Sequence, residues 1–207
     1  MFVTFEGPEG SGKTTQIQLL DRALRARGLQ VVCTREPGGT AIGEQIRAVL
    51  HAHENAAMVP TAEVLLYSAD RAQHVREVVA PALRRGDIVI SDRYAESTLA
   101  YQGYGRGLDM EALRHITAFA TDGLRPDLVV YLDLDVEVGL QRKRLEQALG
   151  RGEWNRMDQQ EVAFHRRVRE GYLTMAREEP RRWLVVDAAR SIETVHRAIR
   201  ERIDALL

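Results

Sequence analysis

Gly7-Pro8-Glu9-Gly10-Ser11-Gly12-Lys13-Thr14 lies between an apolar run, Phe2 to Glu6, and a stretch of helical period, Lys13 to Arg27. A glycine, four variable positions and then Gly-Lys-Thr is the pattern of a phosphate-cradling loop when it joins a strand to a helix, and both flanks fit here. Glycines let the backbone curl so that successive N–H groups point inward, and the N-terminus of the following helix adds roughly half a positive charge. The loop therefore predicts a nucleoside triphosphate ligand. Lys13 is expected to reach its β and γ phosphates, and Thr14 to ligate Mg²⁺ through its hydroxyl. The loop alone leaves the reaction open.

Outward from the loop, four more apolar runs follow: Leu29 to Thr34, Asp87 to Ser91, Leu128 to Asp133 and Trp183 to Asp187. Like Phe2 to Glu6 they are nearly continuous rather than alternating, which predicts parallel strands covered by helices on both faces. Between them, helical period is read over Ala41 to His51, Thr61 to Arg85, Met110 to Thr121, Val136 to Leu149, Gln159 to Glu179 and Ser191 to Leu206. In the first helix Ile17, Leu20 and Leu24 recur at three- and four-residue spacing, with Gly28 at the C-cap position. The expected fold is one α/β domain over residues 1–207, a P-loop NTPase three-layer arrangement whose five-stranded parallel sheet is flanked by helices. Gly150 to Arg156 interrupts two helices with glycines and arginines and is expected to form a short mobile lid, about 150–157.

Composition narrows the function. The 207 residues carry 29 Lys plus Arg against 30 Asp plus Glu, a formal net charge of −1. That removes the broad basic field on which non-specific nucleic-acid binding relies. The lone Cys33 has no disulfide or metal-site partner, which fits a reducing compartment. The first residues show no leader pattern and no apolar run approaches the roughly 18 residues of a membrane span, so a cytoplasmic protein without a membrane partner is expected. All but two of the 29 basic side chains are arginine; the lysines are Lys13 and Lys143. An Asn-Lys-x-Asp guanine reader is therefore excluded, and the Leu-Ser-Gly-Gly-Gln string of transporter ATPases is missing.

Small kinases remain, in which the protein aligns two anionic substrates and neutralises their charge. Arginines at loop ends suit that work: Arg35, Arg71, Arg93, Arg106, Arg151 and Arg156. Asp92 is the expected acidic partner of the magnesium shell, because it ends an apolar strand where ligands of parallel sheets bind and Arg93 follows it. Asp133 stands open between that role and an ion pair closing a loop. A nucleoside kinase, or a nucleotide-dependent switch without an acceptor, are the rival readings.

Three further motifs carry a resemblance: Thr34-Arg35-Glu36-Pro37-Gly38-Gly39-Thr40, Leu66-Tyr67-Ser68-Ala69-Asp70-Arg71, and Asp92-Arg93-Tyr94 leading to Leu99-Ala100-Tyr101-Gln102-Gly103. With the phosphate loop, in this order and over Phe2 to about Tyr172, the chain resembles bacterial thymidylate kinases. The resemblance implies phosphoryl transfer from MgATP to thymidine monophosphate (dTMP), and a homodimer. It implies that Arg93 and Arg35 hold the acceptor phosphate beside Glu36 and Pro37. Tyr67, where the family has phenylalanine, would stack on thymine, and Arg71, Thr98 and Gln102 would read the base edge. Tyr101 would pack on the deoxyribose where a ribose hydroxyl would collide, and Glu9 would approach the 3′-hydroxyl. Gly10 stands where some members carry a catalytic arginine, so a lid arginine, Arg151 or Arg156, is expected to serve instead. Arg142 in Gly139-Leu140-Gln141-Arg142 also fits the family pattern, and an exposed helix face explains it almost as well.

Overall fold

The structure, a computed structural model, describes residues 1–150 and 154–207. Five parallel strands, β1 (Phe2–Glu6), β2 (Val31–Arg35), β3 (Ile88–Asp92), β4 (Leu128–Asp133) and β5 (Trp183–Asp187), form one sheet in the order β2-β3-β1-β4-β5. Side chains alternate across a strand, so each apolar run feeds two layers. Val3, Phe5, Ile88, Ile90, Leu128 and Val130 bury one face against α1 (Lys13–Arg25) and α9 (Ile192–Asp204), through Leu20, Leu24, Ile199 and Ile203. Phe2, Val89, Val129 and Tyr131 point the other way, the latter two toward Tyr172 and Val168 of α8 (Val162–Glu178). Each such side chain stabilises the fold by about 1.5–3 kcal/mol when fully buried.

The strand order makes β1 the switch point: the chain moves to β2 and β3 on one side, then to β4 and β5 on the other. Ligands of open parallel sheets bind at such a point, outside the C-terminal strand ends. Registers Phe5↔Asp92 and Arg35↔Asp92 bring the ends of β1, β3 and β2 together there.

Some expectations change. Residues 33 and 35 of β2 and 185 and 187 of β5 are exposed, because these are the edge strands and helices do not fully cover one face of each. β2 and β3 each run one residue further than read, to Arg35 and Asp92. The helix expected over Thr61 to Arg85 is three pieces: α3 (Pro60–His74), a π-helical stretch Val75–Val79, and α4 (Ala80–Arg84). Pro81 has no N–H for a bond to the fourth residue back and its ring crowds that carbonyl, so the preceding turn widens and Ala80 N–H donates to Val75 O. The helix expected over Gln159 to Glu179 is α8, shorter at both ends. The short helix α5 (Ala95–Thr98) and the π-helical Leu99–Gly105 carried no expectation. Helices α2 (Ala41–His51), α6 (Met110–Thr121) and α7 (Val136–Ala148) fall where read, the last ending one residue early. Of the expected lid, Arg151 lies outside the described residues. No helix of the described residues is long and apolar enough to cross a membrane.

The phosphate loop leans on α7 at two glycines. Gly10 has φ +70°, and a Cβ there would lie 2.5 Å from Gly139 O. A Cβ on Gly139 would lie 2.6 Å from Glu9 O. An arginine at position 10 cannot be built on this backbone with α7 so close, which is the physical reason for glycine there. Alanine in a helix interior is favoured over glycine by about 1 kcal/mol, whereas forced overpacking against backbone costs about 1–3 kcal/mol. Gly139→Ala should therefore lower the urea midpoint; an unchanged or higher midpoint would show that the loop yields freely.

Candidate active site

The loop enters α1 through Gly12, left-handed at φ +87°, so that helix begins at Lys13 with its free N–H groups facing the loop. Lys13 is buried beneath it and donates from Nζ to Gly7 O at 3.1 Å and Pro8 O at 3.2 Å. Burial, and the neighbouring Arg93, lower its pKa. Ser11 Oγ is buried with no partner. A cavity of about 980 Å³ opens here, lined by residues 9–15 and, from other elements, by Arg35, Tyr67, Asp92, Arg93, Tyr101, Gln102 and Lys143.

Arg93 follows β3 with φ +73°, one of two non-glycine residues with positive φ among those described. Such a conformation costs on the order of 1–3 kcal/mol and persists where surroundings enforce it. They do so here. Its N–H donates to Phe5 O at 2.9 Å, Ser91 Oγ donates to its carbonyl at 2.8 Å, and the next N–H, of Tyr94, donates to Glu6 Oε1 at 2.9 Å. The guanidinium lies 5.1 Å over the Tyr101 ring, donates to Ser97 Oγ at 3.3 Å and Tyr101 Oη at 3.2 Å, and pairs closely with Glu9.

Glu6 is wholly buried at the end of β1 and accepts from Ser97 and Tyr172 hydroxyls at 2.7 Å, with Arg93 at 3.9 Å. Burial pushes its carboxyl up to about 7, against the pull of Arg93. Glu9 goes the other way. Burial would raise it, but Lys13, Arg93 and Lys143 together hold it well below the usual carboxylate range.

Arg71 is buried and committed: Nε donates to Glu36 Oε2 at 2.7 Å, Nη1 to Thr98 Oγ1 at 2.8 Å and Nη2 to Tyr94 O at 2.9 Å. Glu36 gives its other oxygen to His74 Nδ1 at 2.9 Å. The Glu36 carboxylate thus faces Arg71 and His74, and it supports the site by fixing Arg71. Arg35 lines the cavity while bonded to both oxygens of Glu44, at 2.9 and 3.0 Å. Pro37, Tyr67, Thr98, Tyr101 and Gln102 line the cavity as well. Burial, and the nearby Glu63, push the Tyr67 phenol up, so the ring stays neutral.

The two strand-end aspartates separate. Asp133 is held by Arg169 at 2.7 and 2.9 Å, the ion-pair alternative. Asp92 lines the cavity with Oδ1 buried and unpartnered, and exposed Thr14 lines it too. Among the described residues no group of three or more His, Cys, Asp or Glu is placed to hold a metal by itself.

Arg156 requires correction. It is 4% exposed and does not line the cavity. Its fork goes to Leu50 O at 3.1 Å and Glu63 Oε2 at 2.5 Å, where Gln102 and Arg106 also converge on Glu63. The wholly buried Glu63 carboxylate would be left short of a partner if Arg156 turned away, and an uncompensated buried charge is costly. Arg142 is exposed, with one long contact to Gly10 O at 3.4 Å. Three polar groups that build the site carry no role in the sequence reading: Glu6 and Glu63, wholly buried behind the cavity wall, and Lys143, which lines it. Of these Glu6 left a signal, a lone acid closing an apolar strand, and Lys143 its rarity.

A family model described as "Thymidylate kinase" matches residues 5–199. A thymidylate kinase from Roseiflexus sp. (strain RS-1) is 52% identical over 214 residues, covering 100% of this chain and 93% of that protein. One from Deinococcus radiodurans is 54% identical over 190 residues, covering 92% and 89%. The crystal structure of a thymidylate kinase from Ehrlichia chaffeensis superposes with a TM-score of 0.78 at 32% identity, covering 99% of this chain and 98% of that one.

Glu6 makes stability depend on pH. Its carboxyl titrates near 4.5 when unfolded and about 7 when folded, so between those values the folded state holds a proton the unfolded state has lost. Stability therefore falls as pH rises through this window and levels off above it. Asp70, pushed up to about 7 by burial and by Glu36, acts in the same direction. In urea titrations across the window, Glu6→Gln should lose less stability than the parent protein, keeping only the remaining contributions. Equal losses would show that Glu6 does not titrate there.

Proposed function

Because the chain belongs to the thymidylate kinase family, we propose a division of labour among its cavity residues for that family's reaction. The chain is an enzyme that transfers a phosphoryl group from ATP to dTMP, giving dTDP and ADP, a step of nucleotide biosynthesis. The observation carrying the assignment is that two cations, buried Lys13 under the loop and largely buried Arg93 at the end of β3, share one cavity with Glu9 between them.

In this reading the loop Gly7 to Thr14 holds the ATP phosphates: the backbone N–H groups of Gly7, Glu9, Gly10, Ser11, Gly12, Lys13 and Thr14 are its donors, Pro8, which has no N–H, shapes the turn, and the unpartnered Ser11 hydroxyl adds a donor. Thr14 and Asp92 hold magnesium, which fits the lone buried Asp92 oxygen and the exposed Thr14. Such an ion bound to the nucleotide neutralises phosphate charge. Arg93 and Arg35 take the acceptor phosphate, for which a planar fork is suited. Glu36 and Pro37 shape that end of the cavity. Tyr67 offers its neutral face to thymine. Arg71, with three of its five N–H groups engaged, turns a remaining donor to a base carbonyl beside Thr98 and Gln102. Tyr101 stands at the sugar and Glu9 near its 3′-hydroxyl. Since Arg156 is spent on Glu63, Arg151 is the lid arginine proposed to reach the transferring group. The protein's work is alignment and charge neutralisation in a site from which water is kept.

We further propose a cytoplasmic homodimer. Phe119 on α6 is 86% exposed and Leu65 on α3, which packs against α6, is 55% exposed, an apolar pair suited to a partner copy. Phe119→Glu should halve the mass seen by light scattering; an unchanged mass would remove this face from any dimer.

ADP release in a coupled assay should depend on added dTMP. Lys13→Ala should lower kcat by roughly 10²–10³-fold, the usual loss of a transition-state donor. Arg93→Ala should raise the KM for dTMP far more than that for ATP. ADP release indifferent to dTMP, or equal losses for both substrates in Arg93→Ala, would overturn the division of labour.

A further inference from the structure

Lys143, one of the chain's two lysines, has no part in the roles above. It reaches from α7 into the cavity and is only 9% exposed. Its Nζ lies 3.1 Å from Glu9 Oε2 and 2.8 Å from each Asp158 oxygen. The other Glu9 oxygen, Oε1, is on Arg93. One carboxylate therefore bridges two cations, and one of those cations is the guanidinium assigned to the acceptor phosphate.

That bridge creates a competition. A phosphate arriving at Arg93 meets Glu9 already there, and two anions cannot share a buried guanidinium without cost. Relief by protonation is closed, because the surrounding cations keep Glu9 ionised. Relief by movement remains. Of the two other cations beside Glu9, Lys13 already donates to Gly7 O and Pro8 O, whereas Lys143 is in contact with Glu9 Oε2 and offers a flexible stem and three rotatable donors. Asp158 also draws on Lys143 and accepts from Asn155 N–H at 2.8 Å, so its own loss of one donor is tolerated.

We propose that Lys143 is a positioning residue that draws the Glu9 carboxylate off Arg93 as the acceptor phosphate binds, and so sets the affinity for dTMP. This rests on Arg93 being the acceptor-phosphate site. Without Lys143, Glu9 collapses onto Arg93 as an internal competitor of the substrate. An ion pair serving the fold alone would change stability and leave the balance between the two substrates untouched.

The test is steady-state kinetics of the full chain with both substrates varied. Lys143→Met should raise the KM for dTMP roughly tenfold, the size of coupling expected between contacting charges, with the KM for ATP nearly unchanged. Lys143→Arg, which keeps the charge, should stay near the parent value. In a Glu9→Gln background, where no carboxylate competes, Lys143→Met should have little further effect on the dTMP KM. If Lys143→Met does not fold, the same comparison is made with Lys143→Met combined with Asp158→Asn, which removes the buried carboxylate left unpaired. An unchanged dTMP KM in Lys143→Met, or an equal rise with and without Glu9→Gln, would overturn the proposal. Parent enzyme that releases ADP without needing dTMP would instead overturn the functional reading beneath it.

Discussion

A charge removed from water must be matched by other charge, and at this cavity the charge in question is the Arg93 guanidinium. The effective cost of burying an unpaired ion is several kcal/mol, so the surroundings of Arg93 are anionic or rich in hydroxyls: Glu6, Glu9, Ser97 and Tyr101. The two acids differ in kind. Glu6 is sealed among Tyr94, Ser97 and Tyr172 and belongs to the fold. Glu9 sits in a loop with a second cation beside it. The strained φ of Arg93 shows that the backbone is held to deliver this guanidinium to the end of the sheet.

The other arginines near the cavity's inner wall are held by the protein itself. Arg71 is locked by Glu36, Thr98 and Tyr94, while Arg106 and Arg156 converge on Glu63. Gln102 shares the Glu63 network, through Nε2. That bond sets which end of the amide faces Glu63, because an ionised carboxylate only accepts. Arg71 and Gln102 are thus oriented by protein neighbours, an arrangement in which orientation is decided before a ligand enters.

What the sequence reveals follows from how local each signal is. Phosphate-loop spacing, the strand runs and the first helix are written in consecutive residues, and they fall within one or two residues of where they are read, with α1 ending at Arg25 rather than Arg27. The switch point at β1 needs strand order, which no window of sequence contains. Pro81 lies inside the stretch read as one helix, Thr61 to Arg85, and the widened π turn before it depends on what the displaced residues pack against. The exposed face of β2 escapes because its apolar composition matches that of the central strands. Arg156 misled for a similar reason: its motif position names a lid arginine, while its partner Glu63 lies 93 positions earlier in the chain. Lys143 was conspicuous by rarity alone, and its meaning depends on Glu9 and Asp158 meeting it in space.

The account turns on two phosphate subsites opening into one cavity, the first at main-chain amides over Lys13 and the second at Arg93. The most direct measurement is a calorimetric titration with adenosine and thymidine joined through a polyphosphate chain, repeated with saturating ATP and then with saturating dTMP. Subsites in line predict that the joined compound binds more tightly than either nucleotide alone and that each nucleotide weakens it. Binding weakened by ATP and indifferent to dTMP would mean that Arg93 does not face the phosphate loop across a shared space, and would contradict the account.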